Sequence, residues 1–314
     1  MQPVACRKPQ VAGEFQPNGQ TVKQSNDQTI KRIVRRLPTS GGGGMIRGMD
    51  GFQRNSDRSR GFGPLFEALE KARRPVFFTG AGVSTLCGIP DFRGPNGTYR
   101  DPDAARMFEI ELFDRDPSFF YEKADSLVYG GSDVRPGPVH EALVALQRAG
   151  KCAGVITQNI DGLHERAGSS PVFAVHGSAA IHHCRRCGAA RTFDEIAAMR
   201  GGVPGAVPRC PECGGVFKPD ITFFGEALPE EAFSGAVDLA GRCDLMVVLG
   251  SSLVVHPAAS IPALAARRGA PLAIVNRGST PLDDRAFFLA DDLAAFADAV
   301  SIFLRKSDKP KGNP

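Results

Sequence analysis

The sequence has no uninterrupted apolar segment able to cross a bilayer. Its longest charge-free run, Leu245 to Ala266, has the length, but Gly250, Ser251, Ser252, His256, Pro257 and Pro262 break it with polar groups and helix breakers. The first twenty residues lack the apolar core of a secretory signal. A P-loop is also missing, because Gly150-Lys151 runs into Cys152 and no glycine stands at the upstream position. Most of the chain lacks a positive surplus. The formal net charge of +4 divides into +7 over residues 1–62, from 11 Lys and Arg against 4 Asp and Glu, and −3 over residues 63–314. The body is therefore a poor binder of phosphate backbones, and any attraction to nucleic acid or acidic partners belongs to the leader. Four of the eight cysteines fall in Cys-x-x-Cys pairs, which in a chain without a secretory signal read as metal ligands and not as disulfides. These absences imply a soluble protein of a reducing, intracellular compartment, with nucleus, cytoplasm and mitochondrial matrix all open.

What is present has the balance of a folded protein: 42% hydrophobic and 23% charged residues over 314 positions, enough for one large domain or two small ones. Residues 1–62 stand apart. They are rich in Gln, Asn, Ser and Gly, include the run Gly41 to Gly44, and read as a basic leader too poor in apolar residues to build a core. Within it Ile30, Ile33, Val34 and Leu37 fall at helical spacing among Lys31, Arg32, Arg35 and Arg36. That island suits a nuclear-import or nucleic-acid patch, an organelle-targeting helix, or a solvated basic tail.

From Gly63 the pattern becomes ordered. Leu65, Phe66, Leu69 and Ala72 mark one helical face through Arg74, with Pro64 at its start. Short apolar runs at Val76 to Thr79, Ala153 to Ile156, Val172 to Val175, Leu245 to Leu249 and Leu272 to Val275 read as buried strands. Helix-like stretches separate them at Val139 to Arg148, Pro229 to Ala240, Ala258 to Arg268 and Asp292 to Leu304. Alternating strands and helices predict an α/β fold built on a doubly wound parallel sheet. Residues 92–137 and 182–216 interrupt the alternation and predict a smaller inserted module, with the cleft between the two parts as the binding site.

Each chemical motif begins where a predicted strand stops. Gly80-Ala81-Gly82-Val83-Ser84 is a glycine turn of the kind that lets backbone N–H groups approach a pyrophosphate at the N-terminus of a following helix, although Thr85 stands where the usual third glycine belongs; alone it is equally a tight turn. Gly88-Ile89-Pro90-Asp91-Phe92-Arg93-Gly94 extends it into a dense, unusual run. Thr157-Gln158-Asn159-Ile160-Asp161-Gly162-Leu163-His164 offers amide and carboxylate groups for ribose hydroxyls and a carboxamide, or an Asx-type turn capping a helix. His176-Gly177 places an imidazole suited to a general base at the same edge, where a structural histidine is the commoner case. Cys184-x-x-Cys187 and Cys210-Pro211-Glu212-Cys213 have the knuckle spacing of a closed, tetrahedral zinc site. Lys218 to Glu226 contains Pro219, which confines it to an edge strand or loop able to pair with an extended peptide. Gly250-Ser251-Ser252 and Asn276-Arg277 follow two further strands.

In this order the motifs resemble those of the sirtuins, the NAD-dependent protein lysine deacylases, over about residues 63–305. The resemblance implies a Rossmann-like large part (about 63–91, 138–181 and 217–305), a small zinc-ribbon and helical part (about 92–137 and 182–216) and a tail at 306–314. It implies NAD as co-substrate, with Gly80, Ala81, Gly82, Ser84, Asp91, Phe92, Arg93 and Tyr99 on the cofactor side. Gln158, Asn159, Ile160 and Asp161 would hold the nicotinamide and its ribose, with Asn159 also catalytic, and His176 would be the general base. Gly250, Ser251, Ser252, Asn276 and Arg277 would lie on the adenosine side, and Ile221, Phe223, Phe224, Gly225 and Glu226 beside the acyl-lysine peptide. Cys184, Cys187, Cys210 and Cys213 would hold one structural Zn2+. The products would be free lysine, nicotinamide and 2′-O-acyl-ADP-ribose.

Sirtuins that favour succinyl or malonyl groups carry a Tyr-x-x-Arg pair in the helix after the cofactor loop, and this chain has Ala124 and Leu127 there. The expected substrate is therefore acetyl-lysine, or a longer neutral acyl group, in a protein or peptide. Two other readings compete: a mono-ADP-ribosyltransferase on the same scaffold, and a zinc-ribbon nucleic-acid module that would leave Gly80, Asn159 and His176 idle.

Overall fold

The computed structural model describes residues 61–94, 97–124, 128 and 134–307. The basic island at Ile30 to Leu37 and the position of Leu127 lie outside the described residues. The strands are β1 (Pro75–Thr79), β2 (Gly154–Thr157), β3 (Val172–Ala174), β4 (Gly177–Cys184), β5 (Ala190–Thr192), β6 (Phe217–Ile221), β7 (Leu245–Leu249), β8 (Leu272–Val275) and β9 (Ala286–Ala290). The helices are α1 (Gly63–Lys71), α2 (Pro102–Arg106), α3 (Ile110–Arg115), α4 (Pro117–Ala124), α5 (Pro138–Arg148), α6 (Leu163–Ala167), α7 (Phe193–Arg200), α8 (Glu230–Gly241), α9 (Ser260–Arg267) and α10 (Leu293–Ser307).

Six strands form a parallel sheet in the order β3-β2-β1-β7-β8-β9, as a doubly wound fold requires. Its central strands are apolar at successive positions because both faces are covered. On one face Phe77, Val155 and Val247 pack against Leu65 and Leu69 of α1, Leu143 and Leu146 of α5, and Phe296 and Val300 of α10. On the other, Val76, Phe78, Ile156, Met246 and Val248 pack against Phe233 and Val237 of α8 and Ile261 and Leu264 of α9. A one-residue slip would exchange the faces, so packing fixes the register.

The second sheet is antiparallel, in the order β5-β4-β6, and joins α2, α3, α4 and α7 in the smaller part. Residues 177–181 and 217–221, assigned from the sequence to the large part, stand in this sheet: Gly177 and Ser178 pair with Ile221 and Asp220, and His182 to Cys184 with Pro219 to Phe217. β6 is an edge strand, which is where Pro219 is tolerated. An aromatic cluster fills the space behind it: the Phe223 ring centroid lies 5.6 Å from Phe108, 5.5 Å from Phe113 and 5.1 Å from Phe120. The Tyr121 hydroxyl, fully buried, donates to the Phe217 carbonyl at 2.7 Å.

Three features differ from expectation. β9 is an additional edge strand. Phe62, placed by composition in the leader, packs against Phe288 and Phe296 with ring centroids 5.7 and 5.9 Å away. The stretch after Gly80 is a 3-10 helix, Ala81–Cys87, ended by Gly88 at φ +86°. Among the described residues no helix is long and apolar enough to cross a membrane.

Candidate active site

Parallel register sets the strand ends level. Thr79 lies opposite Thr157 and Leu249, Thr157 opposite Ala174, Leu249 opposite Val275, and Val275 opposite Ala290. The residues that follow therefore emerge along one edge of the sheet, and the strand order reverses at β1, where such folds open a crevice. A cleft of about 2460 Å³ lies there. That exceeds the ~300–1,000 Å³ of a drug-sized site and leaves room for a dinucleotide beside a side chain.

The glycine turn forms one wall. Gly80 and Gly82 are required by the neighbouring strand end: a Cβ on Gly80 would stand 2.8 Å from the Gly250 carbonyl oxygen, and one on Gly82 would stand 2.7 Å from Gly250 Cα. The Gly82 N–H donates to that carbonyl at 2.9 Å, so this donor is already used within the protein. Arg93 is exposed, with its guanidinium 4.9 Å from the Tyr99 ring centroid.

The floor comes from the segment after β2. Gln158 Nε2 donates to Ser251 Oγ at 2.6 Å, bridging two strand ends. Asn159 Nδ2 donates to Ser84 Oγ at 3.1 Å, and that hydroxyl donates to Asp161 Oδ2 at 2.7 Å. The other Asp161 oxygen accepts the Leu163 N–H at 2.9 Å, so the helix-capping alternative is realised here. Ser84 and Asp161 consequently stand behind the cleft wall, where they pin the glycine turn to the floor, and do not line it.

His176 lies at the junction of the two parts. Its Nδ1 donates to the Gln158 carbonyl at 2.9 Å, which fixes the tautomer and leaves the Nε2 lone pair free. Burial, the larger effect, and the Arg93 charge hold its pKa below the ordinary value, against the Gln158 carbonyl. The ring is thus neutral at pH 7. Gly177 has φ +76°, and a Cβ there would run into the Asp220 carbonyl, so only glycine lets β6 approach so closely. The Thr222 N–H then donates to the His176 carbonyl at 2.8 Å.

The opposite wall is the end of β6 and the turn beyond it. Ile221 and Phe223 are buried and Phe224 is exposed. The Phe224 N–H donates to the Phe108 carbonyl at 2.6 Å, and the Phe224 carbonyl accepts the Ile110 N–H at 3.1 Å.

The paired cysteines converge away from this cleft, and none of them lines it. Their four sulfurs lie within 4.8 Å of one another, with Cys184 and Cys213 at 3.5 Å and Cys187 and Cys210 at 3.7 Å. Zn–S bonds of about 2.3 Å in a tetrahedron put sulfurs roughly 3.8 Å apart, so four thiolates at this spacing fit one zinc ion. Backbone N–H groups of Arg186 and Gly215 point at Cys184 and Cys213 from 3.5 and 3.4 Å, as a knuckle requires. The site is closed and structural.

The sequence profile of the Sir2 family matches residues 80–257, more than half of the chain and every strand end described above except those of β8 and β9. This chain belongs to the Sir2 family. It is 43% identical over 222 residues to an NAD-dependent protein deacetylase of Thermotoga maritima, covering 71% of this chain and 89% of that one. NAD-dependent protein deacetylase 1 of Pyrobaculum aerophilum is 44% identical over 216 residues, covering 69% and 82%. Among solved structures, a Sir2 complex with a p53 peptide and NAD+ superposes with a TM-score of 0.72 at 39% identity, covering 77% of this chain and 98% of that one. A Sir2 protein bound to a propionylated peptide gives 0.71 at 38% identity, covering 77% and 97%.

In this Sir2-family chain the cleft brings together His176 and all the cofactor- and peptide-side residues named from the sequence, apart from Ser84 and Asp161. Sequence reasoning missed Phe108, Glu111, Val255, His256, Asp291 and Asp292, which also line it. Val255 and His256 stand three and four residues after Ser252, in the same loop as the Gly250-Ser251-Ser252 motif. Asp291 and Asp292 follow β9, and the strand-end rule would have found them had that strand been recognised. Phe108 and Glu111 carry no motif.

Proposed function

We infer that this chain is an NAD-dependent protein lysine deacetylase, releasing nicotinamide and O-acetyl-ADP-ribose from NAD and an acetyl-lysine protein or peptide. The observation that carries the reading is His176. A neutral imidazole with Nδ1 committed to the Gln158 carbonyl leaves an unprotonated Nε2 in the cleft that the glycine turn, the amide floor and the β6 wall also line. Bound NAD supplies an electrophilic ribose carbon with nicotinamide as leaving group, and it takes up the acyl group. The chain does the rest. His176 Nε2 draws a proton from a ribose hydroxyl, and the Gln158 carbonyl, accepting from Nδ1, stabilises the imidazolium that forms. Asn159 and Gln158, anchored by Ser84 and Ser251, orient the nicotinamide end. Ser252, Asn276 and Arg277 serve the adenosine end. Ile221, Phe223 and Phe224 exclude water from the acyl group, while the open edge of β6 suits an extended peptide.

The cleft divides a Rossmann-like part from a zinc-ribbon and helical part, and the zinc holds the latter together. None of the cysteines among the described residues is in a disulfide, which suits a reducing intracellular compartment.

The test is incubation with NAD and an acetyl-lysine peptide, following both by mass spectrometry. Loss of the acetyl group matched by nicotinamide and O-acetyl-ADP-ribose is expected. Nicotinamide release with ADP-ribosylated protein and an intact acetyl group would replace this reading with an ADP-ribosyltransferase.

A further inference from the structure

Beneath the Ile221–Phe223 wall sits a cation that none of the steps above uses. Lys218 is 7% exposed. Its Nζ donates to the Ile221 carbonyl at 2.7 Å and the Pro219 carbonyl at 3.2 Å, and it pairs with Glu226 Oε2 at 2.9 Å. That same carboxylate oxygen accepts the Phe223 N–H at 2.9 Å, and the ammonium lies 4.0 Å from the centre of the Phe223 ring. The ion pair thus ties the strand end to the turn that follows it. It is also one residue from the contact that holds the base, since Thr222 donates to the His176 carbonyl at 2.8 Å.

A buried ion pair is a poor device for stability, because desolvating two charges costs about as much as their attraction returns, and apolar side chains could fill the same space. What a buried pair does well is fix one geometry. Here the fixed geometry is the spacing between the acyl wall and His176. The sequence resemblance set Glu226 beside the substrate, yet its Oε2 is spent inward, on Lys218 and the Phe223 N–H.

We propose that Lys218 and Glu226 are positioning residues that set the distance from the Ile221–Phe223 wall to His176, and with it the acyl length the channel accepts. The proposal rests on the deacetylase reading above, so its test separates the two. Wild-type turnover of an acetylated peptide checks the reading. Comparison of acetyl and butyryl forms of that peptide, in wild type and variants of the full chain, checks the positioning.

Lys218→Met removes the charge at similar volume. It is expected to raise the peptide KM roughly tenfold and shift the acetyl-to-butyryl ratio of kcat/KM by at least about fivefold, within the ~100-fold that a misplacement near 1 Å can cost. The KM for NAD stays at the wild-type value. Lys218→Arg restores most of the loss, and Lys218→Met combined with Glu226→Gln costs no more than Lys218→Met alone, because no half-buried carboxylate is left without its counter-charge. A merely structural pair would lower Tm and the active fraction while leaving the peptide KM and the acyl ratio at wild-type values, and that result overturns the proposal. Should Lys218→Met not fold, Glu226→Gln gives the same readouts, since its amide oxygen still accepts the Phe223 N–H. Should wild type turn over no acylated peptide, the deacetylase reading falls. The positioning is then read from the anisotropy of a fluorescein-labelled acetyl-lysine peptide, where weaker binding by the variants supports it and equal binding overturns it.

Discussion

Among the described residues His176 makes a single side-chain hydrogen bond, to a backbone carbonyl, and its ring lines the cleft. Removing it should therefore cost chemistry and little structure. His176→Ala is expected to lower deacetylation ~100-fold or more with a melting temperature near wild type, measured by steady-state kinetics and thermal circular dichroism. Near wild-type turnover would falsify its role as the base. Two other histidines have the opposite character. His140 and His164 are buried with ring centroids 4.6 Å apart; His164 Nε2 shares a 2.9 Å hydrogen bond with Thr79 Oγ1, and the Gly137 N–H donates to His140 Nδ1 at 3.2 Å. Burial, joined by the proximity of His140, pushes the His164 pKa down to about 3, and burial lowers that of His140 too. An unfolded histidine binds its proton near pH 6.5, so the unfolded state holds more protons than the folded state below that point. Stability from His164 is complete above pH 6.5 and is lost progressively toward pH 3, amounting to about 2 kcal/mol by pH 5. Urea midpoints between pH 7.5 and 5 should fall accordingly, and a flat profile would show the pair to be charged already in the fold.

At the scale of elements, the inner strands were legible because each is a short, nearly unbroken apolar run bounded by turn residues. β9 was not, although Phe288 and Leu289 are buried, because a strand following an acidic 3-10 turn and ending in Asp291-Asp292 looks like a loop before an acidic helix start. The helix expected after Gly80 became a 3-10 turn for a reason no local pattern contains: Gly250, nearly 170 residues away, presses its backbone against Gly80 and Gly82. β4 was hidden likewise, since His182 is buried and His183 is exposed and paired with Asp220 across the sheet. The cysteine knuckles were fully legible, because two fixed spacings specify a geometry. They join β4 to the start of β6, so their zinc should hold the small sheet and not the chemistry. Cys184→Ser is expected to reduce bound zinc from one per chain and lower the melting temperature, whereas Cys243→Ser, far from the knuckles in the α8–β7 turn, leaves zinc content unchanged. Metal release measured with a chromogenic chelator checks both.

For the whole molecule, the cleft exists because two separately packed parts meet along one sheet edge, and the charges around it decide which acyl groups enter. The wall at the end of β6, to which the acyl group is assigned by the function proposed above, is aromatic and aliphatic: Ile221, Phe223 and Phe108, backed by Phe113, Phe120 and Ala124 in one buried cluster. The cations nearby are committed or placed elsewhere. Lys218 is paired with Glu226, Arg93 lies over Tyr99, and Arg185 makes a bidentate pair with Asp114. Arg277 lines the cleft after β8, a strand of the other sheet from β6. Ala124, where succinyl-preferring relatives of the family would carry the tyrosine of their recognition pair, is itself fully buried and offers no polar atom. A succinyl carboxylate entering this wall would lose its water and meet no counter-charge, at a cost of several kcal/mol. An acetyl methyl group loses nothing there and gains apolar contact. Acetylated and succinylated versions of one peptide, compared at equal NAD, should therefore differ in kcat/KM by at least ~100-fold in favour of acetyl, as an unpaired buried charge of about 3 kcal/mol would require. Comparable turnover of the two would mean that a cation reaches the channel when substrate binds. The Arg93 side chain, exposed on the cofactor loop, would be the first to examine.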